Sequence, residues 1–449
     1  MNRNQKHVAR FALLLGLLVP GAMAAHLGLA SSNPSRGDTL RTAVSSVHLT
    51  FTLRIELRFT SVMVVTATGD TIRGEIVPTD TLGRAVELRL SQPLLNGNYV
   101  VLWRTAGADG HAVTGNYDFV VTGVSPPATV PTMPQLAGDG GRPVVLTEVA
   151  DVNQQPLAVA VRWLNFLFAV LLVGGVVIQM LVGRHAGPYL AEYWTAVSLA
   201  ARRVALFAAA ASLLLSAPRL FIQLESLSGP GAAPGFLSFV LRETSWGRGW
   251  VLQLLGGSGY LLAAFAAAPG AVGAWRLAAA ASVMVAFGIS FSGHAAGVEQ
   301  MQIINVANDA VHIMAVSAWI GTLIYIVLVG VPTAVRLRTY GELGTLVRTF
   351  SPLALGVATI AIITGGISAL SHLGPLSDLW TTPYGRMLLL KLVAVAGVAI
   401  GGAYNWKRIK PRLGTEAATN QLQRSASGEV VLALLVLVAT AILVALPTP

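Results

Sequence analysis

Cysteine is absent from all 449 residues. That excludes structural disulfides, thiolate zinc sites, Cys-ligated iron–sulfur clusters and Cys nucleophiles. Charge is scarce as well. Asp, Glu, Lys and Arg make up 11% of the chain, yet acids fall short of bases and leave a formal +10. Against these shortages stand a hydrophobic content of 54% and a mean hydropathy of +0.66. Such a composition fits neither a disordered chain nor an ordinary soluble enzyme. A phosphate-gripping loop is also missing. Gly256-Gly257-Ser258-Gly259 lies in an apolar run without the Gly-Lys-Ser/Thr end, and it predicts close helix packing instead. No energy source is legible, so any transport would follow a gradient or couple to another ion; no enzymatic activity is expected.

The basic excess is not spread evenly. Residues 1–25 read as a secretory signal: Arg3, Lys6 and Arg10 precede the apolar run Phe11–Val19, and Ala22-Met23-Ala24 supplies a cleavage pattern. Residues 26–122 read as an all-β Greek-key domain, an Ig-like sandwich or barrel. Val47–Leu53, Val62–Thr66, Val86–Leu90, Tyr99–Trp103 and Tyr117–Val121 alternate, with turn signals at Gly69-Asp70, Asn96-Gly97-Asn98 and Asp109-Gly110. This stretch has eight Lys+Arg and eight Asp+Glu, so it is no basic nucleic-acid module. Residues 123–156 read as a Pro/Gly-rich linker.

Residues 157–449 read as an α-helical membrane bundle of about eight transmembrane helices. The apolar stretches are about 157–182, 204–224, 249–268, 275–292, 308–330, 351–370, 386–404 and 428–446. Pro218 and Arg219 interrupt the second. With the β domain outside, the inner loops hold twelve of the loop Lys and Arg residues and the outer loops hold three, Arg219, Arg242 and Arg248. That agrees with the positive-inside rule. The chain is therefore expected in the bacterial plasma membrane, its N-terminal domain on the periplasmic side and the bilayer its solvent. The +10 is a record of export and topology and calls for no nucleic-acid partner.

This topology puts five of the eight histidines outside or at outer helix ends: His26, His111, His294, His312 and His372. Cleavage after Ala25 would make His26 the new N-terminus, offering its amine and ring Nδ1 together. Asp109 and His111 are two apart, so in an extended segment they face one side. Amine, imidazoles and carboxylate make a nitrogen/oxygen set suited to tetragonal Cu(II). An Asp-Gly pair alone is also just a turn.

Three segments then carry a resemblance. They are His26-Leu27-Gly28-Leu29-Ala30-Ser31-Ser32-Asn33-Pro34, Gly97-Asn98-Tyr99-Val100-Val101-Leu102-Trp103, and Asp109-Gly110-His111 with Gly115-Asn116-Tyr117-Asp118-Phe119. Together they resemble the CopC copper-resistance family. The resemblance implies a periplasmic Greek-key domain that binds Cu(II) through His26, Asp109 and His111. It needs cleavage after Ala25; cleavage before it would make His26 second and change the chelate.

The membrane part has its own constellation: Gly293-His294, Asp309 and His312 on one helix face, and Ser371-His372. These groups could line an outward-facing metal site or sit at the headgroup boundary. Asp309–Gly321, Thr364-Gly365-Gly366 and Tyr384–Lys391 are similar to the CopD membrane family, an eight-helix copper permease. Lys391 and Arg386 are expected to pair with Asp378 or Glu429, or to snorkel outward, and Trp319 to pack.

The expected function is a copper-binding protein of copper homeostasis and resistance. The β domain captures Cu(II) and hands it to the permease, in the import direction, with copper the metal and periplasmic copper donors as partners. The other readings are a haem-binding membrane electron carrier, with histidines as haem ligands, and a copper-sequestering receptor through which nothing crosses.

Overall fold

The computed structural model describes residues 27–107, 109–124, 155–185, 191–228, 235–268, 271–293, 296 and 302–446. The expected signal peptide, His26 and linker residues 125–154 lie outside the described residues.

Nine strands are described: β1 (Leu29–Asn33), β2 (Thr39–Leu40), β3 (Val44–Phe51), β4 (Ser61–Thr66), β5 (Thr71–Ile72), β6 (Gly74–Pro78), β7 (Ala85–Leu94), β8 (Gly97–Ala106) and β9 (Ala112–Val121). They form two sheets, ordered β1-β3-β7-β6 and β2-β9-β8-β4-β5. Two separate sheets make this a sandwich, not a closed barrel. β4–β5, β6–β7 and β8–β9 are hairpins; every other connection crosses between sheets, which is Greek-key behaviour. Period-2 alternation turns Val47, Leu49 and Phe51 of β3, Val101 and Trp103 of β8, and Tyr117 and Phe119 of β9 into one buried core. Phe51 meets Trp103 edge-on at 5.3 Å, tying the sheets together. Trp103 stands opposite Gly115 in the β8–β9 register. A Cβ on Gly115 would lie 2.3 Å from the indole Cζ2, so the ring covers bare backbone.

Among the described residues, eight helices are long and apolar enough to cross a membrane: α1 (Pro156–Gly183), α2 (Glu192–Leu227), α3 (Ser245–Ala266), α4 (Val272–Phe291), α5 (Gln302–Leu337), α6 (Tyr340–His372), α7 (Pro383–Arg412) and α8 (Glu416–Leu443). All eight expected stretches are present, each as part of a longer helix or nearly so. The difference is largest at α2, which runs unbroken through Pro218. In an apolar bundle neighbouring helices can re-satisfy the backbone groups that proline frees.

Small residues set the helix crossings. A Cβ on Gly174 of α1 would fall 2.3 Å from the Gly321 carbonyl carbon of α5. Gly321 closes a wide, π-helical turn, Ser317–Gly321. Gly256 packs as its sequence predicts, with its Cβ position 2.8 Å from the Ala281 carbonyl of α4. Trp319 packs against the buried core of the bundle.

The chain divides into two compact units. Of the described residues, one comprises 155–222 and 247–446; the other comprises 27–124 and the segment Gln223–Trp246. That segment, with its short helix Phe236–Glu243, is folded as part of the β unit. Phe59 meets Phe236 and Phe239 edge-on at 5.7 and 5.5 Å, and the Arg58 guanidinium stacks 4.7 Å over Phe239. Arg104 donates to the carbonyls of Glu225, Ser226 and Ser228.

Candidate metal centre

The β8–β9 hairpin ends in Gly107–Gly110. Gly110 has φ +79°, a left-handed conformation that glycine adopts without strain. The turn brings the two expected ligands together: Asp109 Oδ2 lies 3.1 Å from His111 Nδ1. The His111 backbone N–H donates to Asp109 Oδ1 at 3.2 Å. Both side chains are half-buried, 16% exposed for Asp109 and 27% for His111. Gly107 leaves room beside them, since a Cβ there would stand 2.9 Å from Asp109 Oδ1.

The turn is held from the other side by residues far along the chain. Gln223 Nε2 donates to the Gly110 carbonyl at 2.6 Å, and the Ser245 hydroxyl donates to the Asp109 carbonyl at 3.3 Å. A Cβ on Gly110 would lie 3.3 Å from Thr244 Cβ and 3.4 Å from Trp246 Cβ. Gln223, Thr244, Ser245 and Trp246 are all buried. No spacing rule in the sequence signals these partners, because more than a hundred residues separate them from the turn.

The first described residues run to the same corner. Gly28 N–H donates to Thr52 Oγ1 at 2.9 Å, and Thr52 N–H donates to the Gly28 carbonyl at 2.9 Å. Two residues on, the Arg54 carbonyl lies 3.8 Å from the Gly107 Cβ position. His26, the residue attached to Leu27, is outside the described residues. His48 belongs elsewhere: its Nε2 lies 3.3 Å from Glu87 Oε1. Glu87 also accepts from Arg89 Nε at 3.1 Å, and this Arg89 contact holds its carboxyl below the usual range.

In the bundle, Asp309 and His312 share α5 as expected. His312 Nδ1 lies 3.0 Å from both the Ala361 carbonyl and Thr364 Oγ1 of α6. A carbonyl only accepts, so Nδ1 carries the hydrogen and Nε2 keeps its lone pair. That arrangement is the usual one for a metal-ligating histidine. One turn away, Asn308 Nδ2 donates to Ser368 Oγ at 2.9 Å and to the Thr364 carbonyl at 3.2 Å. Gly365 makes room for the imidazole, with a Cβ position 2.9 Å from His312 Cε1. Lys391 of α7 is within electrostatic range of Asp309 and of His312. Its expected pairing with Glu429 is corrected: Glu429 accepts from Asn405. Helix packing brought Lys391 within electrostatic range of an acid 82 positions earlier in the chain, which no local pattern reveals.

His294 and the His372 side chain lie outside the described residues. Among the described residues no three His, Asp or Glu side chains are grouped closely enough to hold one ion.

Three family models match this chain: the CopC domain over residues 29–122, the copper resistance protein D-like N-terminal domain over 152–304, and copper resistance protein D over 344–443. Asp109 and His111 fall inside the first, and Asp309 and His312 fall between the other two. The copper transport protein CutJ of Bacillus subtilis (strain 168) is 24% identical across 100% of this chain and 79% of its own. CopC from Methylosinus trichosporium OB3b is 29% identical, with TM-score 0.21, over 21% of this chain and 93% of its own. PcoC, a copper resistance protein from Escherichia coli, is 23% identical, with TM-score 0.20, over 21% of this chain and 99% of its own.

Proposed function

Taking this chain as a fusion of a CopC-like domain with a CopD-like membrane domain, we propose that the β domain captures Cu(II) and passes it to the helix bundle, which moves it inward. The observation that carries this reading is the meeting of Asp109 and His111 at one glycine-relieved turn. Carboxylate, imidazole and, from His26, a terminal amine with a second imidazole form a nitrogen/oxygen set that suits Cu(II). The pairing of Gly28 with Thr52 supports it, because it leads the chain start toward that turn.

The Pro/Gly-rich stretch between the domains would keep captured copper at high local concentration near the bundle. There His312 offers Nε2 as the receiving ligand, with Asp309 on the same helix; His294 and His372 complete the proposed outer set. The ion is cargo throughout. Two weak nitrogen/oxygen sites in series suit transfer better than one tight site. The charge bias of the loops supports an outward-facing β domain, and the name of the Bacillus relative supports transport.

Copper uptake into proteoliposomes bearing the purified full chain tests this reading. Time-dependent uptake is expected. Uptake should be lost in His312→Ala, and in His111→Ala it should fall at low copper but recover at saturating copper. Intact copper binding with no flux in the wild type would leave a sequestering receptor. A haem absorption band in place of copper would make the protein an electron carrier.

A further inference from the structure

Glu429, in the middle of α8, is the one fully buried Asp or Glu among the described residues, at 4% exposure. Its carboxyl lies on α7 where that helix has no side chains. A Cβ on Gly401 would stand 2.7 Å from Glu429 Cγ and 3.4 Å from Oε1, and one on Gly402 3.6 Å from Oε2. One turn further along α7, Asn405 Nδ2 donates to Oε1. The Asn405 Oδ1 atom is buried and has no hydrogen-bond partner.

That orphaned acceptor bears on which form of the carboxyl the cradle fits. A carboxylate only accepts hydrogen bonds and cannot serve Oδ1. A carboxylic acid can, by turning its O–H to Oδ1 while Nδ2–H donates to its other oxygen. The acid and the amide then satisfy each other reciprocally, and no buried acceptor is left over. We propose that Glu429 and Asn405 form a proton-binding site whose proton is released when a cation enters the bundle.

The surroundings leave the proton as the natural occupant. No charged side chain is within electrostatic range of Glu429 among the described residues. On α7, the Tyr404 hydroxyl accepts from Gln421, while Lys407 and Arg408 are exposed. On α1, Arg162 donates to the Ala441 carbonyl, three turns away along α8. On α5, Tyr325 lies beside Gly175 and Arg336 is exposed; on α8 itself Arg424 is exposed. Lys391 is 14 residues from Asn405 along α7, or about 21 Å. An isolated carboxylate is costly inside a membrane domain, but a mobile cation can compensate it. Each proton released leaves one negative charge on the carboxyl, which offsets one positive charge of the arriving ion. No electron moves, and no other reactant is needed. Cation and proton would then alternate, giving the bundle an exchange ion that the sequence does not display. The alternation rests on the transport reading above; the proton site itself does not.

Infrared spectroscopy of the full chain in liposomes at neutral pH tests the site. A carboxylic-acid C=O stretch sensitive to heavy water is expected. It should vanish in Glu429→Gln, persist in Glu429→Asp and change frequency in Asn405→Ala. Absence of the band in the wild type, or its persistence in Glu429→Gln, would overturn the site. A pH dye in the same proteoliposomes tests the exchange. Copper entry should release protons in the wild type and not in Glu429→Gln. Equal proton release in both would overturn the exchange. Failure of copper to enter the wild type would remove the transport reading and the exchange with it, while the infrared band would still decide the proton site.

Discussion

Replacing Gly115 by alanine puts the β8–β9 packing under a defined load. The new Cβ would stand 2.3 Å from Trp103 Cζ2, 2.6 Å from Cε2 and 3.0 Å from Nε1. The indole has no flexible end to give way. It is buried, and Phe51 abuts it at 5.3 Å. The ring must swing out, or β9 must part from β8. Overpacking of this kind costs about 1–3 kcal/mol, and emptying a buried tryptophan site altogether sets an upper limit of about 3–5 kcal/mol. Each kcal/mol shifts the midpoint of a domain this size by about 4–8 °C. Near-UV circular dichroism of the full chain during thermal unfolding reads the loss directly. In a Trp103→Leu background the added methyl meets a smaller side chain, so its cost should shrink and the double-mutant cycle should be non-additive. A Gly115→Ala loss below about 0.5 kcal/mol, the range of inconsequential surface changes, would refute the reasoning.

Burial pushes the Tyr117 phenol up to about 12, against about 10 when unfolded. The stability from keeping it neutral is fully present below about pH 10 and is lost as pH rises from there through about 12. Tyr117→Phe should flatten this alkaline limb by at most about 3 kcal/mol, seen in unfolding curves of the full chain; an unchanged limb would count against it. Gly174→Leu should separate α1 from α5, because the blocking atoms at 2.3–2.7 Å are Gly321 backbone. Loss of monodisperse folded protein on size-exclusion chromatography is the expected outcome, and full yield would contradict it. Copper held by the β domain should be released on acidification to about pH 5, since protons compete for imidazole; a copper content independent of pH over that range would argue against histidine ligands.

Much of the fold was legible because its signals are local. Alternation marked β4, β8 and β9, and long apolar runs marked all eight helices. The short strands β2 and β5 were not legible, since two residues carry no period. Pro218 read as an interruption, yet α2 runs unbroken through it, as proline can where neighbouring helices re-satisfy the freed backbone groups. Asp109 and His111 read as a pair from i, i+2 spacing in an extended segment; the structure pairs them across a turn instead, with Gly110 at φ +79°. Their supports, Gln223 and Ser245, were not legible, because only tertiary folding brings them to the turn. For the same reason Lys391 comes within electrostatic range of Asp309, which was not among the partners, Asp378 or Glu429, that the sequence suggested. Asn405 and the Gly401-Gly402 pair gave no sign of their role until α8 was laid against them.

The central claim is capture of Cu(II) at the β8–β9 turn. Electron paramagnetic resonance of Cu(II) titrated into the purified, N-terminally sequenced chain tests it most directly. One tetragonal nitrogen/oxygen signal at one equivalent is expected from a chain starting at His26, weakened in Asp109→Ala and lost in His111→Ala. The same signal at the same stoichiometry in both variants would contradict the account.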